Sequence, residues 1–152
     1  MGEHPSSPIH RRFREPNAWE GVERERYKED ASFRDVTRQV LFDGEHGQCS
    51  QLRYFEIGPG GHTTLERHGH AHSVVVVRGA GRVLVDPHVV DVRAFDLISV
   101  PPMTWHQLRA DDDQPLGFLC LVDRERDRPE NPGVADLERL HRDPEIAAFI
   151  RV

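Results

Sequence analysis

The sequence predicts an all-β barrel or sandwich, carried between an irregular N-terminal arm and short C-terminal helices. Three observations predict it. From residue 35 onward, short runs rich in β-branched and aromatic residues recur at intervals of roughly 8–12 residues, the rhythm of a multi-stranded β domain. Clusters of Gly, Pro and Asp punctuate these runs. No helical pattern separates one run from the next, as a fold of alternating strands and helices would require.

Residues 1–34 are rich in Pro, Glu and Arg, and their few apolar side chains are mainly Ile9, Phe13, Trp19, Val22 and Tyr27. Such a segment buries too little to fold alone, and it reads as an arm pinned by aromatics. Residues 35–123 form the expected barrel. Its runs are 35–42, 49–57, 72–77, 82–85, 89–92, 95–100, 106–110 and 117–122, with turns at 43–47, 58–61, 78–81, 86–88, 101–104 and 111–115. Residues 124–152 begin as a charged loop. Asn131-Pro132-Gly133 then breaks the chain, Val134, Leu137 and Leu140 recur at helical spacing, and Pro144 opens a second short helix carrying Ile146, Phe149 and Ile150.

A chain of 152 residues holds one domain of ordinary size, so one site is expected. Its formal net charge of -6, with acids interleaved among the Lys and Arg residues, argues against nucleic acid or an anionic membrane as a partner. Residues 1–12 lack the apolar stretch of a secretory signal, and only Cys49 and Cys120 carry thiols. Two free cysteines in a cytoplasmic protein are the expectation. Gly2 and Ser6 fit the loose pattern for N-myristoylation, which is too short to carry weight.

The chemistry concentrates between His62 and His72, where four imidazoles and a carboxylate fall within eleven residues. Strand alternation places Glu66 and His68 on one face and Leu65 and Arg67 on the other. Gly69 permits a bend that changes the phase, after which His72 re-enters the same interior; His70 would take that place if the chain bent elsewhere. A further ligand must come from a distant segment, and the rigid turn of residues 101–105 delivers His106 into a strand. The candidate metal set is therefore Glu66, His68, His72 and His106. His70, Trp105 and Cys120 are candidates for the pocket wall or for contacts behind the ligands, although core burial explains Trp105 and Cys120 equally well.

The spacing resembles the first motif of the cupin superfamily, Gly, five residues, His, one, His, three or four, Glu, six, Gly. Here it runs Gly60, five, Glu66, one, His68, three, His72, six, Gly79. The second motif, Gly, five, Pro, one, Gly, two, His, three, Asn, is matched by Phe95, five, Pro101, one, Met103, two, His106, three, Ala110. Glu66 and His72 exchange the residue types of the family pattern, which keeps three imidazoles and one carboxylate. Phe95, Met103 and Ala110 replace two glycines and an asparagine, which puts the local loop geometry in question.

This resemblance covers residues 35–123 and implies a jelly-roll barrel, the double-stranded β-helix, with one metal per chain. Within the family the chain more closely resembles small single-domain cupins that bind manganese through four histidines. In those proteins the strand equivalent to residues 117–122 lines the pocket, which would turn Cys120 toward the metal. A nitrogen and oxygen set of this kind suits Mn, Fe, Ni, Co or Zn, and affinity alone does not choose among them. Open coordination positions imply an enzyme acting on a small organic substrate. With iron, the resemblance points to a quercetinase-like dioxygenase; with the other ions, to a Lewis-acid isomerase or lyase. The rival reading is a noncatalytic cupin that senses or stores a small molecule around a structural metal. The family also implies a homodimer, with residues 35–42 and the arm as the crossing element.

Overall fold

The computed structural model describes residues 8–27 and 33–152. Gly2 and Ser6 lie outside them, as does part of the arm. The fold is mostly strand. The arm contributes β1 (Phe13–Arg14), β2 (Ala18–Trp19) and β3 (Glu25–Arg26), and the barrel contributes β4 (Arg34–Asp43), β5 (Ser50–His62), β6 (His72–Val85), β7 (His88–Arg93), β8 (Leu97–Val100), β9 (His106–Ala110) and β10 (Leu116–Asp123). Helices α1 (Val134–Leu140) and α2 (Pro144–Phe149) follow.

The barrel closes through four strands. β5 pairs with β10 from Leu116↔Ile57 to Asp123↔Ser50, β10 pairs with β6, β6 with β9, and β9 returns to β5 at His62↔Arg109. The long β6 serves both halves: residues 72–75 pair with β8 and residues 80–85 with β7. The crossing falls at Gly79, which has φ +69°, and at Gly81, where a Cβ would sit 2.0 Å from the Arg109 carbonyl oxygen. At Gly79 a Cβ would lie 1.7 Å from the carbonyl oxygen of Pro115, so the chains approach too closely there for any side chain.

Alternation sorts the core. On β10, Leu116, Phe118, Cys120 and Val122 are buried in the main cluster with Phe55, Ile57, Val74, Val76 and Leu108, while Leu121 is exposed. A second cluster lies on the outside of the barrel, where Leu140, Ile146, Phe149 and Ile150 pack on Leu65, Leu84 and Trp105. The Asp143 carboxylate accepts from the Glu145 and Ile146 amides and starts α2, with Pro144 in its first turn. Phe13, Trp19 and Tyr54 form an edge-to-face chain that fastens the arm to the barrel. Among the described residues no helix is long and apolar enough to cross a membrane.

Candidate metal centre and pocket

Three imidazoles converge at one end of the barrel. Ligand nitrogens of His68, His72 and His106 all lie within 4.8 Å of one another. Each comes from a different local structure. His68 sits in the irregular segment before β6, His72 is the first residue of β6, and His106 is the first residue of β9. The backbones of Glu66 and His106 exchange two hydrogen bonds, of 3.2 and 3.0 Å, which bring the two segments together. Glu66 lines the same cavity beside the imidazoles without belonging to the converging group of three.

Hydrogen bonds decide which nitrogen the rings of His68 and His106 present. His68 Nδ1 lies 2.7 Å from the His70 carbonyl oxygen and His106 Nδ1 lies 2.9 Å from that of Thr104, so each Nδ1–H donates and each Nε2 keeps a free lone pair. The Nε2 of His68 is buried and has no hydrogen-bond partner. An orphaned buried acceptor is costly, and a metal ion would satisfy it. Burial, then repulsion from the neighbouring imidazoles, pushes His72 down to about 2. Burial likewise pushes His106 down to about 4 and lowers His68. These rings are neutral at pH 7, the state a metal requires of them. Burial drives Glu66 up to about 7, with Arg53 opposing. A divalent ion alongside would offset that cost, so the donor set fits the group the resemblance implies.

His70 lies against this set. Its ring stacks on His68 at 3.7 Å, its Nε2 lies 3.3 Å from His72 Nε2, and its Nδ1 donates to the Asp127 carboxylate at 2.8 Å. Asp127 also accepts the backbone amides of Gly69 and His70, which pins the bend that positions His68. Cys120 faces the cavity, with Sγ 3.5 Å from His72 Nδ1 and 3.4 Å from Arg53 Nη2. Burial raises its thiol above the ordinary range. Cys49 is exposed, and both cysteines are free thiols. Trp105 turns away from the cavity into the outer cluster, where the Arg67 guanidinium lies 4.6 Å over its ring.

Sequence reasoning missed Asp127 and three arginines, Arg38, Arg53 and Arg126, that line the cavity. Arg53 left a signal. It stands in phase with Phe55 and Ile57 along β5, so alternation points its side chain inward. Asp127 left none, because it reaches Gly69 from the charged loop, 58 residues further along the chain.

Comparison with known proteins places this geometry among relatives. A family model described as a cupin domain matches residues 53–122. A 1-methylthio-D-xylulose 5-phosphate methylsulfurylase from Rhodospirillum rubrum is 51% identical over 142 residues, spanning 92% of this chain and 90% of that protein. The crystal structure of a cupin-2 domain from Rhodospirillum rubrum superposes with a TM-score of 0.85 at 51% identity, covering 92% of this chain and 95% of the other. A cupin 2 conserved barrel domain protein from Rhodopseudomonas palustris gives a TM-score of 0.89 at 45% identity, covering 94% and 99%.

Proposed function

The chain belongs to the cupin family, and from that premise we propose that it is a metal-dependent enzyme that moves the methylthio group of a 1-methylthio ketose phosphate to a thiol. The observation that carries this reading is the meeting of two reagents in one cavity. A neutral imidazole set with an orphaned Nε2 lies beside the buried Cys120 thiol. His68, His72 and His106 would hold the ion, and Glu66 would complete its ligands. When bound, a divalent ion supplies Lewis-acid polarisation of a carbonyl oxygen, which stabilises negative charge on the adjacent carbon.

The remaining work falls to the chain. The Cys120 sulfur attacks the methylthio sulfur, an S–S bond forms, and the C1–S bond breaks with its electron pair left on C1. The thiol proton ends on C1 as a new C–H bond. Carbon is reduced and two sulfurs become a disulfide, so no outside oxidant enters. A second, low-molecular-weight thiol then exchanges with the methyl disulfide and frees Cys120. The apolar wall of Phe55, Leu108 and Phe118 keeps water from the reacting atoms. Mn, Fe, Ni, Co and Zn all suit the donors.

Incubation of the protein with 1-methylthio-D-xylulose 5-phosphate tests this. A 1-deoxy ketose phosphate should appear, and an intact-mass spectrum before thiol is added should show one methylthio adduct. Cys120→Ser should abolish both. Oxygen uptake stoichiometric with substrate would instead establish a dioxygenase, and turnover that survives in Cys120→Ser would remove the sulfur from the mechanism. Homodimer formation through β4 belongs to the same proposal and is checked by a solution mass measurement.

A further inference from the structure

The arginines of this cavity are unexplained by sulfur chemistry. Arg53 is only 6% exposed, its guanidinium lies 4.9 Å from the Phe55 ring centre, and its Nη2 donates to Cys120 Sγ. Its Nε is buried without a hydrogen-bond partner. Arg38 and Arg126 line the same cavity. Arg38 is held by Glu25 at 2.6 Å, and Arg126 by the Gln51 side chain and by the Asp123 and Arg124 carbonyls. Among the described residues no carboxylate lies within ion-pair distance of Arg53 or Arg126. Burial, then the like charges of Arg53 and Arg38, lowers Arg126 from the usual guanidinium range. Arg53 is a buried guanidinium without a counter-ion, which is costly, and with Arg38 and Arg126 on the wall of the same cavity it makes a site for a dianion.

From this we infer that Arg53, Arg38 and Arg126 form the subsite for the phosphate-ester end of the substrate, in the cavity that also holds the histidines. The planar guanidinium fork matches the oxygens of a phosphate, and Arg53 offers an unused N–H for one of them. The anion site stands on the arginine geometry; only its assignment to a ketose phosphate rests on the function proposed above. The sugar would then be held at both ends, with its phosphate on the arginines and its carbonyl end toward the imidazoles, and Arg53, which also touches Cys120, would stand between the two. Binding energy from the remote phosphate would orient the reacting carbon.

The test uses an ester that lacks the methylthio group. Isothermal titration of the full chain with D-xylulose 5-phosphate should show binding that inorganic phosphate displaces, while unphosphorylated D-xylulose binds at least tenfold more weakly, the loss expected of a charge-assisted contact. Arg53→Lys and Arg126→Gln should each weaken the ester by about tenfold or more. Arg126 is at the surface, so its variant reports even if the buried Arg53 substitution fails to fold. In turnover assays the same variants should raise KM more than they lower kcat. Folded variants that bind the ester within twofold of the parent, with KM unchanged, would overturn the subsite while leaving the sulfur transfer intact. Arginine-dependent phosphate binding without methylthio transfer would sink the proposed reaction and keep the subsite.

Discussion

Glu66 and the imidazoles beside it titrate in opposite directions, and their balance sets how the metal-free protein responds to pH. His72 falls from 6.5 to about 2 and His106 from 6.5 to about 4 on folding. Between those values the unfolded chain binds more protons, so their contribution is complete above pH 6.5 and is lost as pH falls. Glu66 rises from 4.5 to about 7, so its contribution is complete below pH 4.5 and is lost as pH rises through about 7. From 4.5 to 6.5 His72 and His106, with His68 shifted in the same direction, oppose one carboxylate, and stability rises. Near pH 7 the remaining titration of the unfolded-state imidazoles and that of Glu66 nearly cancel, and stability levels off. Urea midpoints of the chelated protein should therefore rise from pH 4.5 to about 7 and then level off, and Glu66→Gln should steepen that rise by removing the opposing carboxylate. The same protonation predicts that metal binding at pH 6 expels about one proton from the parent and none from the variant, measurable by titration calorimetry in buffers of different ionisation enthalpy. Equal slopes in the parent and in Glu66→Gln would mean that Glu66 is solvated as an ordinary carboxylate.

At the scale of the elements, spacing and identity carry different information. The convergence of His68, His72 and His106 was legible because each position follows from strand alternation, a glycine bend or a rigid proline turn, all local properties. The loops around them were less legible, since two positions keep the family's spacing but not its glycine. Phe95 has φ +74° and Met103 has φ +54°, so both hold the left-handed backbone that glycine adopts freely. Their turns survive because the pairing on either side imposes them: the Phe95 amide donates to Val76 at 2.6 Å, and the Met103 amide to His68 at 2.7 Å. Left-handed backbone costs a side chain roughly 1–2 kcal/mol, and Phe95 is 80% exposed and so buries little in return. Phe95→Gly should stabilise the protein by about 1 kcal/mol, net of the entropy that glycine loses on folding. Gly79→Ala should do the opposite and cost several times as much, because its methyl group meets the Pro115 carbonyl head-on. Equilibrium denaturation of both variants decides the matter, and equal effects would mean the two turns are equally relaxed.

The whole molecule is held from both sides of its site. The segment carrying Glu66 and His68 and the start of β9 carrying His106 face inward, while the neighbouring Leu65 and Trp105 face outward into the cluster closed by α2. Gln107, fully buried, ties the same region to the C-terminus through the carbonyls of Thr63 and Arg151 and the Arg151 amide. The terminal helices were legible from their caps and periodicity, but the tie from Gln107 to Arg151 was not, since it joins residues 44 apart in sequence. A ligand that binds only the folded state stabilises it by mass action, about 2.7 kcal/mol at a hundredfold excess over its Kd. For a chain of this size that amounts to a rise of roughly 5–10 °C in Tm. Chelation should therefore lower Tm by that amount in the parent and by nothing in His106→Ala. Phe149→Ala, on the outer face, empties a fully buried ring site and should cost about 3–5 kcal/mol. It touches no candidate ligand. If the outer cluster holds the ligands in place, this variant should also bind metal more weakly, and chelation should shift its Tm less than it shifts the parent's. An undiminished shift would show that the barrel positions its ligands without help from the helices.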